Sequence, residues 1–362
     1  KYTWSSNKSM AGWTATGKTR TVNKYFTVFL FCNIISTGDK MAKRKRKLKK
    51  SFIVIMVIII LIPLIFVAYN LTMNKENDTT NKSTSTTLTE EDKYFINKNY
   101  SKKELSYINK LSDKNKEKLK NIDYIDISNY YNIKNFDVDK YSRYEAYHEK
   151  NKDYKYKDVV TYVNIGIDNE FYTNTSESPF QHTNLILINK YYHVDNDYTP
   201  KDLVVLFDSN RGAKMTKEAA ENYKSMVEDA KKDNITFEST TAYRGYNFQK
   251  ALYDKYVSED GKEKADTYSA RPGYSDHQSG LTVDLNDPSV KGSRLDEKDY
   301  KWLLNNAHNY GFVVRYQERK VFLTGYMEEN WHIRYVGKDV ATIMHDEDLC
   351  LEEYLDLYKM EY

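Results

Sequence analysis

"PGYSDHQSGLTVDL", residues 272–285, places His277 beside a glycine turn and ahead of a short run that alternates like a β-strand. Thr282 and Asp284 are two residues apart in this run, so they face the same side of a strand, and Gly280 lets the chain fold His277 back towards them. One imidazole and one carboxylate can then converge on one ion. Taken alone, the pattern is equally consistent with a polar turn in which Asp284 is only a turn or capping residue.

A second stretch, "EENWHIRYVG" (residues 328–337), contains Glu329 three residues before His332. A zinc hydrolase needs three protein ligands and a carboxylate that takes the proton from the attacking water. With His332 as the third ligand, the two stretches together contain the residue types of such a site, which favours the metal-site interpretation of His277.

The two cysteines of the chain, Cys32 and Cys350, lie near opposite ends with a strongly apolar segment between them. They are poor candidates for a disulfide, and the chain has neither a CxxC motif nor a cysteine cluster. Any zinc site must therefore be built from histidines and carboxylates.

"SDHQSGLTVD" together with "EENWHIRYVG" resembles the paired motifs SxHxxGxxxD and ExxWH of the VanY-type D-alanyl-D-alanine carboxypeptidases. These are zinc enzymes of the lysostaphin, D-Ala-D-Ala carboxypeptidase and hedgehog-like superfamily. Segments such as "AYRGYNFQ" and "GFVVRY" are also similar to the family, so the resemblance covers roughly residues 155–350. It implies that His277, Asp284 and His332 bind Zn²⁺.

The resemblance also implies roles for four other residues. Glu329 would act as general base towards the attacking water and then as acid towards the leaving amine. Arg244 would stabilise the substrate carbonyl and the oxyanion formed from it, a role that suits preorganised positive charge. Ser275 and Gln249 would lie on the substrate-facing rim of the site.

The sequence departs from the family pattern at three positions near these motifs. Asn330 stands where the family commonly has Pro, Ala242 where it has Gly, and Gly245 where it has Ser. None of the three removes a ligand or a proton carrier, so they bear on rate and pocket shape rather than on the reaction. Glu328 is a second candidate for the base, but the three-residue spacing to His332 favours Glu329.

The net charge of +3 conceals two oppositely charged parts. Residues 1–50 carry 13 Lys or Arg and one acidic residue, Asp39, which leaves 42 basic and 51 acidic residues in positions 51–362. A region with a balance of −9 is a poor candidate for binding a phosphate backbone, because nucleic-acid binding requires clustered positive charge. The composition therefore argues against a nucleic-acid partner.

The N-terminal part of the chain is typical of a membrane anchor. "FIVIMVIIILIPLIFVA" (residues 52–68) is uninterrupted and apolar and approaches the length that crosses a bilayer, and "KRKRKLKK" (43–50) before it predicts a cytoplasmic N-terminus. Met41 opens the basic segment, so the preceding residues are expected to be an upstream extension. The predicted segments are the extension (1–40), the basic segment (41–50), the transmembrane anchor (51–72), a flexible linker (73–93) and a stalk or small prefix (94–154).

The rest of the chain, residues 155–362, predicts one α+β domain in which helices pack on a small, mostly antiparallel sheet. Helices are predicted at 216–233, 247–260 and 296–311. Strands are predicted from their β-branched and alternating residues at 159–167, 184–190, 235–243, 281–285, 312–316, 321–325 and 331–337.

The function expected from these observations is that of a membrane-anchored zinc carboxypeptidase, facing outward, that removes the terminal D-Ala from peptidoglycan stem peptides ending in D-Ala-D-Ala. In the setting implied by VanY, this reaction would contribute to glycopeptide resistance. Two alternatives remain open: an L,D-carboxypeptidase acting on tetrapeptide stems with the same metal site, and a non-catalytic wall-binding module that has kept the fold.

Overall fold

The computed structural model describes residues 88–209, 211–286 and 295–359, which all belong to one compact unit. Among these residues, no helix is long and apolar enough to cross a membrane. The predicted anchor at 51–72 and the segments before it lie outside the described residues. The first described helix begins at Glu90, inside the segment predicted as a linker, because Thr89 and Asp92 form a capping box.

In the described part of the chain, the α-helices are α1 (Glu90–Asn97), α2 (Lys102–Ile108), α3 (Asp113–Lys120), α4 (Tyr141–Lys150), α5 (Tyr156–Asn164), α6 (Lys217–Ala230), α7 (Tyr246–Asp260), α8 (Lys262–Ala265), α9 (Glu297–Asn306), α10 (Val321–Thr324), α11 (Lys338–Asp346) and α12 (Leu351–Tyr358). The strands are β1 (Ser176–Glu177), β2 (Tyr192–His193), β3 (Leu203–Val205), β4 (Lys214–Thr216), β5 (Glu238–Thr241), β6 (Thr282–Asn286), β7 (Phe312–Tyr316) and β8 (Glu329–Tyr335).

The main sheet has four strands in the order β5-β6-β8-β7, and every neighbouring pair is antiparallel, as predicted. One face of this sheet is apolar. Val283 and Leu285 of β6 and Ile333 of β8 are fully buried and belong to the same core as helices α6 and α9. Because side chains alternate along a strand, Asp284 and His332 lie on the other face. The apolar face therefore fixes the register that presents the candidate ligands.

The helices α1 to α5 surround a second core, in which Phe95, Tyr130, Phe136 and Tyr144 are buried. The segment predicted as a stalk or prefix thus has a hydrophobic core of its own. Residues 159–167 were expected to form a strand, and this prediction is wrong because α5 occupies most of them. Its buried valines follow helical spacing, and packing of that face outweighs the β-propensity of single residues.

Two further strand predictions are wrong. Residues 184–190 are in no strand. Ile186 and Ile188 are buried there in a loop, and the Ile186 carbonyl accepts from a side chain rather than from a neighbouring strand. Residues 321–325 form the single turn α10, which ends at Gly325 with φ 74°. A short apolar run is compatible with either structure, and here a left-handed glycine ends a helix.

Candidate metal centre and catalytic cavity

Two of the predicted ligands form a cross-strand pair. Asp284 of β6 is directly opposite His332 of β8 in the antiparallel register. Opposed residues in such a pair place their side chains on one face of the sheet, a few ångströms apart. The Nδ1 atom of His332 lies 3.1 Å from Oδ1 of Asp284, and both side chains are buried.

The third predicted ligand, His277, lies in the 3₁₀ turn Asp276–Ser279, which leads into β6 through Gly280. Gly280 has φ +70°, and a Cβ at this position would meet Pro200 and Leu203 at 2.8 and 2.9 Å. Only glycine suits this turn, and the turn brings the imidazole over the start of β6. The sequence motif therefore folds as its spacing predicts.

The orientation of the His277 ring is fixed by a backbone carbonyl. Its Nδ1 lies 2.7 Å from the carbonyl oxygen of Ala242, which can only accept, so Nδ1 carries the proton. The other nitrogen, Nε2, then has a free electron pair and lies 3.4 Å from Oδ2 of Asp284. Ala242 directly follows Thr241, the last residue of β5, which pairs with Asp284 after a register shift, and this position places the Ala242 carbonyl beside the ring.

His277, Asp284 and His332 fit a metal ion. One ligand atom from each lies within 4.8 Å of the others, and all three residues are buried. Oδ1 of Asp284 makes no hydrogen bond although His332 Nδ1 lies 3.1 Å from it. Both atoms therefore lie close enough to bind one ion. Zn²⁺ prefers such a set of two histidines and one carboxylate, with one position left open.

The electrostatics of the site favour a cation. Burial alone would raise the pKa of the Asp284 carboxyl, but the two histidines hold it well below its usual range. Burial alone would lower the pKa of His332, but the carboxylates of Asp276, Asp284 and Glu329 hold it well above its usual range. Burial lowers the pKa of His277, and the neighbouring Arg244 lowers it further. His277 therefore stays neutral, as a metal ligand must.

A bulge in β8 brings Glu329 to the same side as His332. Val314 pairs with Ile333, whereas Tyr316 pairs with Glu329, so β8 has two extra residues at this point. In a regular strand, residues three apart face opposite sides. Here Oε2 of Glu329 lies 3.3 Å from Nδ1 of His332.

The neighbouring acid, Glu328, also lines the cavity but has a different partner. Burial and a hydrogen bond to the Glu328 carboxylate both raise the pKa of Tyr300. In contrast, Glu329 lies against a ligand histidine. Of the two adjacent acids, Glu329 is thus the one that lies against a candidate ligand.

Arg244 lies at the edge of the ligand cluster, with Nη1 3.7 Å from Oδ2 of Asp284. Its Nε donates to Oε1 of Gln249 at 3.2 Å, and Gln249 Nε2 donates to the Ala270 carbonyl at 2.8 Å. Gln249 is buried and is not among the described residues that line the cavity. Gln249 therefore positions the Arg244 side chain through this hydrogen bond. The resemblance had implied a place for Gln249 on the substrate-facing rim.

These groups open into one cavity of about 370 Å³. Ser275 is part of its wall, and so is Trp331 next to the candidate ligand His332. The rest of the wall is formed largely by aromatic, small and other apolar side chains. It includes Leu252, Tyr256, Tyr268, Ser269, Ala270, Tyr316, Tyr326 and Met327.

A buried charged network behind His332 was missed from the sequence. Asp276 forms ion pairs with Arg334 and Arg315, and Arg315 pairs with Glu352. One signal was available, because Arg334 is two residues after His332 and so shares its face of β8. The partners Arg315 and Glu352 come from β7 and α12. Arg315 lies in the family-like segment "GFVVRY", but that similarity assigned it no role, and Glu352 belongs to no motif.

A match to a family model supports the resemblance. Residues 212–338 match the family model described as "VanY: D-alanyl-D-alanine carboxypeptidase". Among solved structures, the LdcB LD-carboxypeptidase is 39% identical, with 48% of this chain and 86% of that one covered and a TM-score of 0.45. A Zn(II) complex of the D,D-pentapeptidase VanY from a VanB-type resistance cassette is 31% identical, with 48% and 98% covered and a TM-score of 0.43.

Two relatives decide the family. The putative carboxypeptidase YodJ of Bacillus subtilis is 39% identical over 186 residues, which cover 48% of this chain and 68% of YodJ. A D-alanyl-D-alanine carboxypeptidase of Enterococcus faecalis is 30% identical over 201 residues, which cover 53% of this chain and 73% of the relative. With both motifs present and their side chains gathered at one cavity, the chain belongs to the family of VanY-type D-alanyl-D-alanine carboxypeptidases.

Proposed function

We propose that this protein is a zinc carboxypeptidase that hydrolyses the terminal D-Ala from peptidoglycan stem peptides ending in D-Ala-D-Ala. The observation that carries the proposal is the convergence of His277, Asp284 and His332 within 4.8 Å, with Glu329 against His332 at the same cavity. A non-catalytic module would have no need to keep both a ligand set and a proton carrier in this geometry.

When bound by the two histidines and Asp284, zinc supplies Lewis acidity that polarises the scissile carbonyl and acidifies the attacking water. Glu329 accepts a proton from that water, and the water oxygen bonds to the carbonyl carbon. The C–N bond then breaks, and Glu329 returns the proton to the nitrogen of the leaving D-Ala. The products are free D-Ala and a peptide shortened by one residue.

Arg244 contributes fixed positive charge beside the carbonyl oxygen as negative charge develops on it. Such preorganised donors stabilise a transition state because they do not have to reorient during the reaction. The hydrogen bond from Arg244 Nε to Gln249, itself held by Ala270, provides that preorganisation. Ser275 in the cavity wall is available to hydrogen-bond the substrate.

The assay that tests this function incubates the purified full chain with a stem pentapeptide ending in D-Ala-D-Ala and with the tetrapeptide that lacks the last residue. We expect D-Ala release from the pentapeptide alone, its loss on adding a strong chelator, and its return with Zn²⁺. Release from the tetrapeptide alone would instead assign an L,D-carboxypeptidase. Release from neither, by a folded and zinc-loaded protein, would leave only a wall-binding module.

We further propose that residues 51–72 anchor the chain in the cell membrane with the catalytic domain outside. The support is the apolar run at 52–68 behind the seven basic residues of 43–50. This location would place the enzyme beside its substrate, where removal of D-Ala-D-Ala ends would lower glycopeptide susceptibility. Intact cells treated with protease should lose the catalytic domain while a cytoplasmic marker survives. Protection of the domain in intact cells would contradict this topology.

A further inference from the structure

Behind the candidate metal centre, the buried carboxylate of Asp276 lies between two arginines. Arg334 Nη1 donates to its Oδ1, and the same guanidinium donates through Nη2 to the Ile186 carbonyl at 2.7 Å and through Nε to the Tyr335 carbonyl at 2.9 Å. One oxygen of Asp276 is thus fixed on a rigid partner. The position of the other oxygen, Oδ2, is thereby fixed as well.

Three buried polar atoms around that second oxygen have no hydrogen-bond partner: Oδ2 of Asp276, Nε2 of His332 and Nε of Arg315. Oδ2 lies 3.7 Å from each of the two nitrogens. Buried polar atoms are rarely left without partners in native proteins. Here the Nε atom of Arg315 and the Nε2 atom of His332 lie just beyond hydrogen-bond distance of Asp276 Oδ2. A shift of less than one ångström would form either hydrogen bond.

Arg315 is itself held by the C-terminal helix. Its Nη1 and Nη2 donate to the two carboxylate oxygens of Glu352 on α12 at 2.9 and 2.6 Å, and Asn189 donates to the same carboxylate at 3.1 Å. The side chains of Arg315 and Glu352 are 0% and 2% exposed. Glu352 lies outside residues 212–338, the part that matches the family model.

We propose that Asp276 is a positioning residue for the metal centre, backed by the pair Arg315–Glu352. Its Oδ2 accepts the Nε2 proton of His332, so that Nδ1 keeps the free electron pair and points at the position shared with Asp284. An imidazole carries one proton in its neutral form, and the hydrogen bond at one nitrogen decides which nitrogen binds a metal.

The charges of the network are consistent with this role. Asp276 and Glu352 supply two negative charges, and Arg315 and Arg334 supply two positive ones. Because the network is balanced without His332, Asp276 can accept a hydrogen bond from the neutral imidazole that results when a metal ion takes the place of the proton on Nδ1. A neutral imidazole is the form that binds zinc.

This inference rests on the proposed function, since it concerns the same metal centre. The test measures zinc affinity by competition with a chromophoric chelator, in the full chain and without substrate. We expect Asp276→Asn to weaken zinc binding by about 10–100-fold, the usual effect of losing such an outer partner. We expect Glu352→Gln, which leaves Asp276 in place, to weaken it by a smaller factor.

A matched control is available on the same helix. Asp356 is buried one turn after Glu352, and its carboxylate accepts from Asn135 of the N-terminal helical region. Asp356→Asn therefore perturbs the same helix at a carboxylate whose hydrogen-bond donor, Asn135, lies outside the network. We expect its zinc affinity to equal that of the wild type.

A second measurement covers the case in which Asp276→Asn fails to fold. In the zinc-loaded wild type labelled with ¹⁵N-histidine, we expect Nε2 of His332 to carry an exchange-protected proton whose resonance shifts in Glu352→Gln. An unprotonated Nε2 in the zinc-loaded wild type overturns the inference. A Glu352→Gln variant whose His332 resonance and zinc affinity both equal those of the wild type also overturns it. Wild-type protein that binds no zinc overturns the proposed function as well, whereas tight binding that is insensitive to these variants overturns only this inference.

Discussion

Asp284 and His332 are directly opposed on the antiparallel strands β6 and β8, and their Oδ1 and Nδ1 atoms lie 3.1 Å apart without a hydrogen bond. The sheet register thus brings together two ligands that are far apart in sequence. The 3₁₀ turn that carries His277 adds the third ligand from the edge of the same strand. A site built on strands is more rigid than one built on loops, which suits a preorganised metal centre.

The first prediction concerns Asp284, the candidate ligand that lies beside both histidines. Asp284→Asn keeps the size of the side chain but removes the negative charge that draws a divalent cation. We expect zinc content after dialysis to fall from about one ion per chain to near zero, since a three-residue set with one neutral amide is a poor zinc site. Metal analysis by mass spectrometry measures this directly.

Asp208→Asn provides the comparison for that variant. Asp208 accepts hydrogen bonds from Tyr223 and Ser239, outside the ligand cluster. This exchange is expected to lower stability and leave the zinc content intact. Full zinc occupancy in Asp284→Asn would show that the cation is held elsewhere.

The second prediction separates the adjacent acids Glu329 and Glu328. Glu329→Gln should lower kcat by about 10²–10⁴, the range for loss of a general acid–base group, while zinc remains bound. Glu328→Gln should change kcat little, because the Glu328 carboxylate is engaged with Tyr300. Steady-state kinetics on the pentapeptide decides between them. The reverse pattern would make Glu328 the base.

Only part of the ligand set depends on short-range geometry. His277, Gly280 and Asp284 lie within eight residues, and the turn at the glycine places the imidazole over the strand that carries Asp284. His332 and Glu329 were assigned from their own motif and from the resemblance, although a regular strand would have separated the two side chains. The bulge that joins them has no signal of its own in the sequence.

Two of the three wrong strand predictions have a common physical cause. Residues 159–167 and 321–325 contain the β-branched residues favoured in strands, yet both regions are largely helical. Single-residue propensities amount to about 1 kcal/mol or less, and burial of one helical face outweighs them. Gln249 was placed on the rim for a related reason, because sequence spacing does not tell whether a polar side chain faces substrate or holds another residue.

The third prediction tests the glycine that ends α10. Gly325 has φ +74°, and a Cβ there would lie 2.5 Å from the Phe171 ring. Gly212 has the same φ of +74° with nothing within 4 Å, so it provides a matched control. Both alanine variants suffer the left-handed backbone penalty of about 1–2 kcal/mol. Gly325→Ala should lose roughly a further 1–3 kcal/mol through overpacking.

Denaturant unfolding of the two alanine variants measures that difference. Gly325→Ala should also lower activity, because the next residue, Tyr326, lines the cavity. Equal losses of unfolding free energy at the two sites would mean that the Phe171 ring moves aside without cost. The contact would then have no part in holding Tyr326.

The fourth prediction concerns the pH dependence of stability and the pair Asp266–Arg271, which flanks the cavity-lining residues 268–270. Arg271 donates to both carboxylate oxygens of Asp266, at 3.1 and 2.7 Å, and its guanidinium stacks 3.8 Å from the centre of the Tyr172 ring. Burial alone would raise the pKa of Asp266, but the hydrogen bonds from Arg271 and Tyr253 hold it below its usual value. The pair therefore stabilises the fold while Asp266 is ionised.

The sign of the pH dependence follows from that depressed pKa. An unfolded chain takes up the proton near pH ~3.9, and the folded protein does so only at lower pH. The stabilisation is thus complete above about pH 4 and is lost as the pH falls through the folded pKa. Asp266→Asn should cost about 1.5–3 kcal/mol of unfolding free energy at pH 7, the range for hydrogen bonds to a charged group, and progressively less below pH ~4.

Urea unfolding at several pH values, with chelator present so that metal binding makes no contribution, tests this pH profile. Asp254→Asn is the control, because Asp254 pairs with Lys250 on the exposed side of α7 and both side chains are more than half exposed. Such surface pairs contribute little, so its stability should follow that of the wild type at every pH. If the cost of Asp266→Asn stays constant down to low pH, the loss comes from packing rather than from charge. In that case Arg271 is held over Tyr172 by stacking alone.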